Sequence, residues 1–125
     1  FCASSLRYKE NVQTLGSGLN LIERLRPVTF DWKDRKEADL GLIAEEVAEV
    51  EPLLVIRNDK GVIEGVKYDQ ISAVLINAVK EQQVQIQAQA RQVDEQKEIN
   101  QRLQSQIDML ICKSDPSAKF CKDKE

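Results

Sequence analysis

A heptad repeat over residues 71–112 constrains the fold of this chain more than any other feature. β-branched residues recur every seven positions, and leucines precede that series by four residues, which is typical of a coiled coil. At ~1.5 Å per residue this helix would extend roughly 63 Å, farther than the rest of the chain could cover, so partner helices must come from other chains. The predicted seam consists of Leu75, Val79, Ile86, Val93, Leu103, Ile107 and Leu110.

Polar residues interrupt the centre of this seam. Gln82, Gln89 and Gln96 occupy leucine positions, and Asn100 occupies a β-branched position. Polar layers lower the stability of a coiled coil but fix its register and number of strands. The heptads alone do not decide between a dimer and a trimer. The alternative to a coiled coil is a solvated, partly frayed helix.

Composition restricts the classes of partner. The 125 residues allow one small domain beside the helix. The net charge of −3 gives no electrostatic footprint for nucleic acid. No apolar run approaches the ~20 residues of a membrane span. We therefore expect no nucleic-acid partner and no membrane span. Separately, we interpret residues 1–3 as the stub of a larger upstream protein.

The absence of histidine limits the possible chemistry. It excludes Ser-His-Asp and Cys-His catalysis and every imidazole metal site. The three cysteines do not form a zinc pattern, because Cys2 is remote from Cys112 and Cys121. We expect no metal and no cofactor.

The two C-terminal cysteines predict a disulfide. A bond between Cys112 and Cys121 would close a short loop that contains Pro116, and the chain-entropy model assigns it roughly 2.7 kcal/mol. Such a bond indicates an oxidising, extracytoplasmic setting. The alternative is two unrelated surface thiols.

The segment before the long helix predicts an α+β domain with a small antiparallel sheet and short helices. Residues 4–11 suggest a short extended segment or edge strand. Alternation over residues 28–32 predicts a strand with Trp32 in the core, and residues 40–43 predict a short buried strand. The remaining predicted elements are a helix over residues 19–25 that ends at Pro27, a helix over residues 44–50, and a hairpin of residues 53–56 and 62–66.

Four motifs in order then resemble a known family. They are SSLRYKENV at residues 4–12, LRPVTFDW at 25–32, GLIAEEV at 41–47 and VKYD at 66–69, which leads into residues 71–80. Together they resemble the C-terminal intramolecular chaperone of phage endosialidase tail spikes, over about residues 4–83. The resemblance implies an α+β module followed by a long helix, assembled as a homotrimer through a three-stranded coiled coil.

The resemblance also implies autoproteolysis. Carried onto this sequence, Ser4 is the nucleophile, Lys9 is its general base, and the scissile bond joins Ala3 to Ser4. Arg7 matches the arginine of the motif and would orient or stabilise the site. The family motif usually has aspartate after the serine, and Ser5 stands there instead, which makes Ser5 a rival nucleophile.

The chemistry of a Ser-Lys pair is consistent with this assignment. A serine hydroxyl needs a base, and an amine replaces histidine in Ser-Lys variants of the catalytic triad. An exposed lysine is protonated at neutral pH, so Lys9 must be desolvated or lie near another cation such as Arg7. The competing interpretation is that Ser4 and Ser5 are turn residues and Lys9 is a surface or ion-paired lysine.

The sequence therefore predicts a single-turnover, self-cleaving intramolecular chaperone on a bacterial surface or a phage virion. Its upstream partner would belong to the same polypeptide. The alternative is a trimerisation and registration cap of a tail-fibre-like or surface protein that stays attached. The predicted organisation is a stub at residues 1–3, a chaperone and autoprotease head at 4–70, a trimerisation helix at 71–112 and a disulfide-closed tail at 113–125.

Overall fold

The computed structural model describes residues 3–122. Residues 1–2 of the predicted stub and residues 123–125 of the predicted tail lie outside this part. The chain divides into two compact units, Phe1–Gln83 and Val84–Glu125. Across the described residues, no helix has both the length and the apolar character that crossing a membrane requires.

The first unit combines short helices with two small antiparallel sheets. Strand β1 pairs with β2, and β3 pairs with β4. The predicted α+β class with antiparallel strands and a long C-terminal helix is confirmed. In order, the elements are a 3-10 turn at Leu6–Tyr8, α1 Leu19–Glu23, β1 Val28–Asp31, β2 Ala38–Gly41, α2 Ala44–Val50, a 3-10 turn at Pro52–Leu54, β3 Val55–Arg57, β4 Ile63–Val66 and the start of α3 Tyr68–Ser114.

The predicted hairpin forms because its connection carries the right turn chemistry. The side-chain oxygen of Asn58 accepts hydrogen bonds from the backbone N–H groups of Lys60 and Val62, at 2.9 and 3.0 Å. Gly61 adopts a φ of 79°, a conformation that costs glycine little. Together these residues turn the chain from β3 into β4.

The core of the first unit lies where helix α2, strand β3 and the first turns of α3 meet. Val47 of α2 is its most buried side chain, at 1 % exposure. Val74 and Ala78 of α3 are buried at 4 % each, so the long helix contributes to the core as well as continuing beyond it. The buried cluster consists of Leu21, Val47, Leu54, Val55 and Val74.

Two predictions of burial are wrong. Trp32 is 40 % exposed and Leu40 is 76 % exposed. Both residues belong to the β1–β2 region, where the sheet has two strands. A two-stranded sheet offers too few neighbouring side chains to bury an aromatic ring. Trp32 instead makes a T-shaped contact with the Phe30 ring, and the guanidinium of Arg35 lies 4.9 Å from the Trp32 ring centroid.

Helix α3 begins earlier and ends later than the predicted range of residues 71–112. It spans Tyr68–Ser114, and α4 follows at Lys119–Lys122. In the second unit, a disulfide joins Cys112 to Cys121, whose Cα atoms are 5.7 Å apart. The structure therefore contains the predicted disulfide, and it lies within one chain.

Candidate functional site

The 3-10 turn at Leu6–Tyr8 brings the two predicted catalytic residues together. The backbone N–H of Tyr8 donates to the Ser5 carbonyl at 3.1 Å, and that of Lys9 donates to the Leu6 carbonyl at 3.0 Å. This single turn returns the Lys9 side chain to Ser4, and Lys9 Nζ donates to Ser4 Oγ at 2.8 Å. Residues 4–11 were predicted to be an extended segment or edge strand, and the structure shows the 3-10 turn within them instead of a strand.

This distance is suitable for proton transfer between the amine and the hydroxyl. A general base must lie about 2.6–3.2 Å from the atom whose proton it takes. Ser4 and Lys9 are both exposed in the single chain. Solvent therefore reaches both groups in the single chain.

The predicted supporting residues, Arg7 and Ser5, contact groups within the turn. The Arg7 guanidinium lies 4.7 Å from the centroid of the Tyr8 ring, which is a cation–π contact. No hydrogen bond described within residues 3–122 joins Arg7 to Ser4. Ser5 supplies the carbonyl that closes the turn. Ala3, on the other side of the predicted scissile bond, is exposed.

Two residues of helix α3 that the sequence did not single out bind the backbone of residues 15–19, which follow the 3-10 turn. Asn77 Nδ2 donates to the carbonyl oxygens of Leu15 and Ser17 at 2.7 and 3.0 Å. Glu81 Oε2 accepts from the backbone N–H of Leu19 at 2.9 Å. The sequence carried no signal for these contacts, because they join positions about sixty residues apart.

The first part of the chain matches a known protein family. Residues 4–56 match the family described as the chaperone of endosialidase. The match confirms the predicted resemblance and supports a chaperone role toward an associated protein. No curated protein matches the chain. We call residues 4–56 the chaperone segment below.

The chaperone segment contains an ion pair between two of its recognised motifs. Arg26 binds Glu46 of α2 through two hydrogen bonds, one of which joins Arg26 Nε to Glu46 Oε2 at 3.2 Å. The hydrogen bond from Arg26 lowers the pKa of Glu46, and the same bond raises the pKa of Arg26. The pair lies at the surface, where both side chains remain partly exposed.

A groove of about 420 Å³ also lies within the first unit, away from the predicted catalytic residues. Its lining includes the aromatic rings of Phe30, Trp32 and Tyr68, but neither Ser4 nor Lys9. Asp39 also lines the groove, and its pKa is lowered by hydrogen bonds, first from the Leu40 backbone N–H and then from the Trp32 indole. The groove is therefore separate from the Ser4–Lys9 pair.

Helix α3 has two different faces where it leaves the core of the first unit. Val74 and Ala78 are buried in the core of the first unit. Leu75 and Val79, by contrast, are 45 % and 62 % exposed. The exposed pair belongs to the predicted seam. The apolar face that the heptads assign to partner helices is thus free in the single chain.

The same exposure continues in the second unit. The seam residues Ile86, Val93, Leu103, Ile107 and Leu110 are all exposed there. Cys112 follows Leu110 by two residues, or about 200° around the helix, so the disulfide lies off the seam. The disulfide and an association through the seam are therefore compatible.

Proposed function

We propose that this chain is an intramolecular chaperone that assembles as a homotrimer, assists folding of the protein upstream of it, and releases itself by cutting the Ala3–Ser4 bond. The observation that carries the proposal is the 2.8 Å contact between Lys9 Nζ and Ser4 Oγ. The contact lies inside the segment that matches the endosialidase chaperone family. This contact supports the pairing beyond what the five-residue spacing and the family match provide.

The reaction would proceed in two steps. Lys9, as a neutral amine, takes the proton of the Ser4 hydroxyl while Ser4 Oγ attacks the Ala3 carbonyl carbon. The Ala3–Ser4 C–N bond breaks, the Ser4 nitrogen gains a proton, and an ester links Ala3 to Ser4 Oγ. Water then hydrolyses the ester, and Ser4 becomes a new N-terminus. Each chain reacts once, so this is processing rather than turnover.

Exposure of the pair in the single chain supports a reaction that waits for assembly. Leu6, Tyr8 and Val12, which flank or belong to the turn, expose most of their side-chain surface. A neighbouring chain or the folded upstream protein that buried these side chains would exclude water from Lys9 as well. Desolvation disfavours the charged amine and so produces the neutral base that Ser4 requires.

Trimerisation is supported by the free apolar face of α3. A helix of forty-seven residues gains most of its stability from packing an apolar face. The seam residues that could supply this packing are exposed in both units. A three-stranded coiled coil would bury them and hold three copies of the chaperone segment in one register. The disulfide supports an extracytoplasmic site, on a bacterial surface or a virion.

The test of self-cleavage is the intact mass of a longer chain that carries several hundred residues of its own upstream protein. We expect a product that begins at Ser4, and we expect Ser4→Ala and Lys9→Ala to slow its formation at least about a hundredfold. A full-length wild-type mass after prolonged incubation would refute the protease assignment.

Two sets of variants make this test specific. Ser114 and Lys119 have the same five-residue offset, but the Ser114 hydroxyl donates to the carbonyl oxygens of Leu110 and Ile111 instead. Ser114→Ala and Lys119→Ala are therefore controls that should cleave at the parental rate. In the parent chain, a product that begins at Ser5, and is shorter by one serine, would indicate attack by Ser5, and Ser5→Ala would abolish that product.

The second candidate function is a cap that aligns three chains and stays attached. It is favoured by Ser5, which stands where the family motif usually has aspartate. In this case wild-type chains would keep their full-length mass, yet removal of residues 71–125 would leave the upstream protein misassembled. Cleavage at Ser4 in the wild type would exclude this candidate.

A further inference from the structure

We infer that Asn77 and Glu81 are positioning residues that transmit the order of helix α3 to the segment carrying Ser4 and Lys9. The inference rests on the proposed self-cleavage and makes the reaction dependent on helix formation. We call the pair the 77/81 clamp. It acts on backbone atoms at residues 15–19, which form the base of the reactive segment.

Asn77 binds the base of the segment through both hydrogens of its side-chain amide. The amide nitrogen has two hydrogens, and the two bonds to the carbonyl oxygens of Leu15 and Ser17 use both of them. Asn77 is half-buried, so water competes weakly for these bonds. An aspartate has nearly the same shape, but it would turn an oxygen toward both carbonyl oxygens and remove the donors.

Glu81 completes the clamp one helical turn later. Its carboxylate accepts the Leu19 N–H at the start of α1, where a backbone donor has no partner within the helix. Gly18 is buried beside it, and a Cβ there would lie 2.5 Å from Glu81 Oε1 and 3.0 Å from the Ala78 nitrogen. A larger residue at position 18 would therefore displace the Glu81 carboxylate from this position.

The clamp lies on the side of α3 opposite the predicted seam. Asn77 follows Leu75 by two residues and precedes Val79 by two, or about 200° around the helix in each case. The clamp and the seam can therefore be occupied together, and partner helices would not displace the segment. Association through the seam would strengthen the clamp, because it stabilises the helical turns that hold Asn77 and Glu81.

The reactive segment depends on this clamp because its own hydrogen bonds are local. Those described for residues 3–14 join Ser4 to Lys9, Ser5 to Tyr8 and Leu6 to Lys9. A long helix with an unpartnered apolar face is marginal in water, and partner helices stabilise it. Before assembly the base of the segment is held only part of the time. After assembly it is fixed, which times cleavage to follow association.

The test compares variants of the two clamp residues in the longer, cleavable chain. Asn77→Asp removes both donors, and Glu81→Ala removes the acceptor, whereas Glu81→Gln keeps an oxygen that can accept the Leu19 N–H. We expect Asn77→Asp and Glu81→Ala to slow self-cleavage roughly tenfold, the effect of about 1.4 kcal/mol. We expect Glu81→Gln to cleave within about threefold of wild type. Gln87→Glu, an amide-to-acid exchange at an exposed position of the same helix, is the control.

A second measurement does not require cleavage. In a Ser4→Ala background, hydrogen exchange is followed at the amides of Tyr8, Lys9 and Leu19. We expect Asn77→Asp to accelerate exchange at Tyr8 and Lys9 at least about fivefold, and Glu81→Ala to do so at Leu19. The trimer must persist in all variants, as judged by sedimentation.

The outcomes separate this inference from the proposed function. If wild type cleaves and Asn77→Asp cleaves at the same rate, the clamp does not position the reactive segment. If the wild type never cleaves, the proposed self-cleavage is refuted, but the clamp is not. Unchanged hydrogen exchange at Tyr8 and Lys9 in Asn77→Asp would refute the clamp independently of cleavage. Equal loss in Glu81→Ala and Glu81→Gln would also contradict it, because the hydrogen-bond acceptor would then be irrelevant.

Discussion

Replacing Val79 and Ile86 with aspartate is expected to dissociate the oligomer. In the single chain these side chains are 62 % and 56 % exposed, so more than half of each would be newly buried in a coiled coil. Full burial of a valine or isoleucine contributes roughly 1.5–3 kcal/mol. The exposed fractions of six side chains in a trimer therefore contribute roughly 5–11 kcal/mol, or about four to eight powers of ten in the association constant.

The assay is sedimentation velocity at micromolar concentration, with helix content followed by circular dichroism. Val84→Asp is a matched control, because Val84 is 65 % exposed on the same helix but falls outside the heptad positions of the seam. In the single chain, Val79→Asp and Val84→Asp are nearly equivalent, and only a partner helix distinguishes them. A trimer that survives the double exchange, or one that Val84→Asp dissociates equally, would refute the seam assignment.

Three further predictions concern stability. Val47→Ala should cost roughly 2 kcal/mol in the free energy of unfolding, against less than about 0.5 kcal/mol for the exposed Val62→Ala, as measured by urea titration. Peptide mapping without reductant should recover both C-terminal cysteines in one linked species, and Cys112→Ser should lower stability by up to roughly 2.7 kcal/mol. The hydrogen bond from Arg26 lowers the pKa of Glu46 in the folded protein. The pair therefore stabilises the fold above the ordinary glutamate pKa of about 4.3. This stabilisation is lost as the pH falls through the lowered pKa of the folded protein. Glu46→Gln should therefore make the acid-induced loss of stability shallower, and an unchanged profile would contradict the pairing.

Periodicity and turn chemistry were enough to predict most of the local structure. The hairpin of β3 and β4 was predicted from two apolar runs around a polar turn, and the structure contains it. The disulfide was predicted from the two C-terminal cysteines. These features depend on residues near one another in the chain, where local geometry determines the outcome.

Burial and long-range contacts were harder to predict. The alternation around Trp32 identified a strand but could not show that its sheet has only two strands, so the predicted core position is wrong. Proximity of Ser4 to Lys9 followed from a resemblance, because a five-residue offset also occurs at Ser114 and Lys119, where the hydroxyl makes other bonds. The contacts of Asn77 depend on how the chain folds back, which no local pattern encodes.

The first turns of α3 carry both a core face and a seam face, and this restricts how the chain could change in length. Each inserted residue rotates the following positions by about 100° around the helix axis. A single insertion between Leu75 and Ala78 would move Ala78 out of the core, while Leu75 stayed in place. Homologous chains should therefore keep an uninterrupted spacing through these turns and accept insertions and deletions in the surface loops.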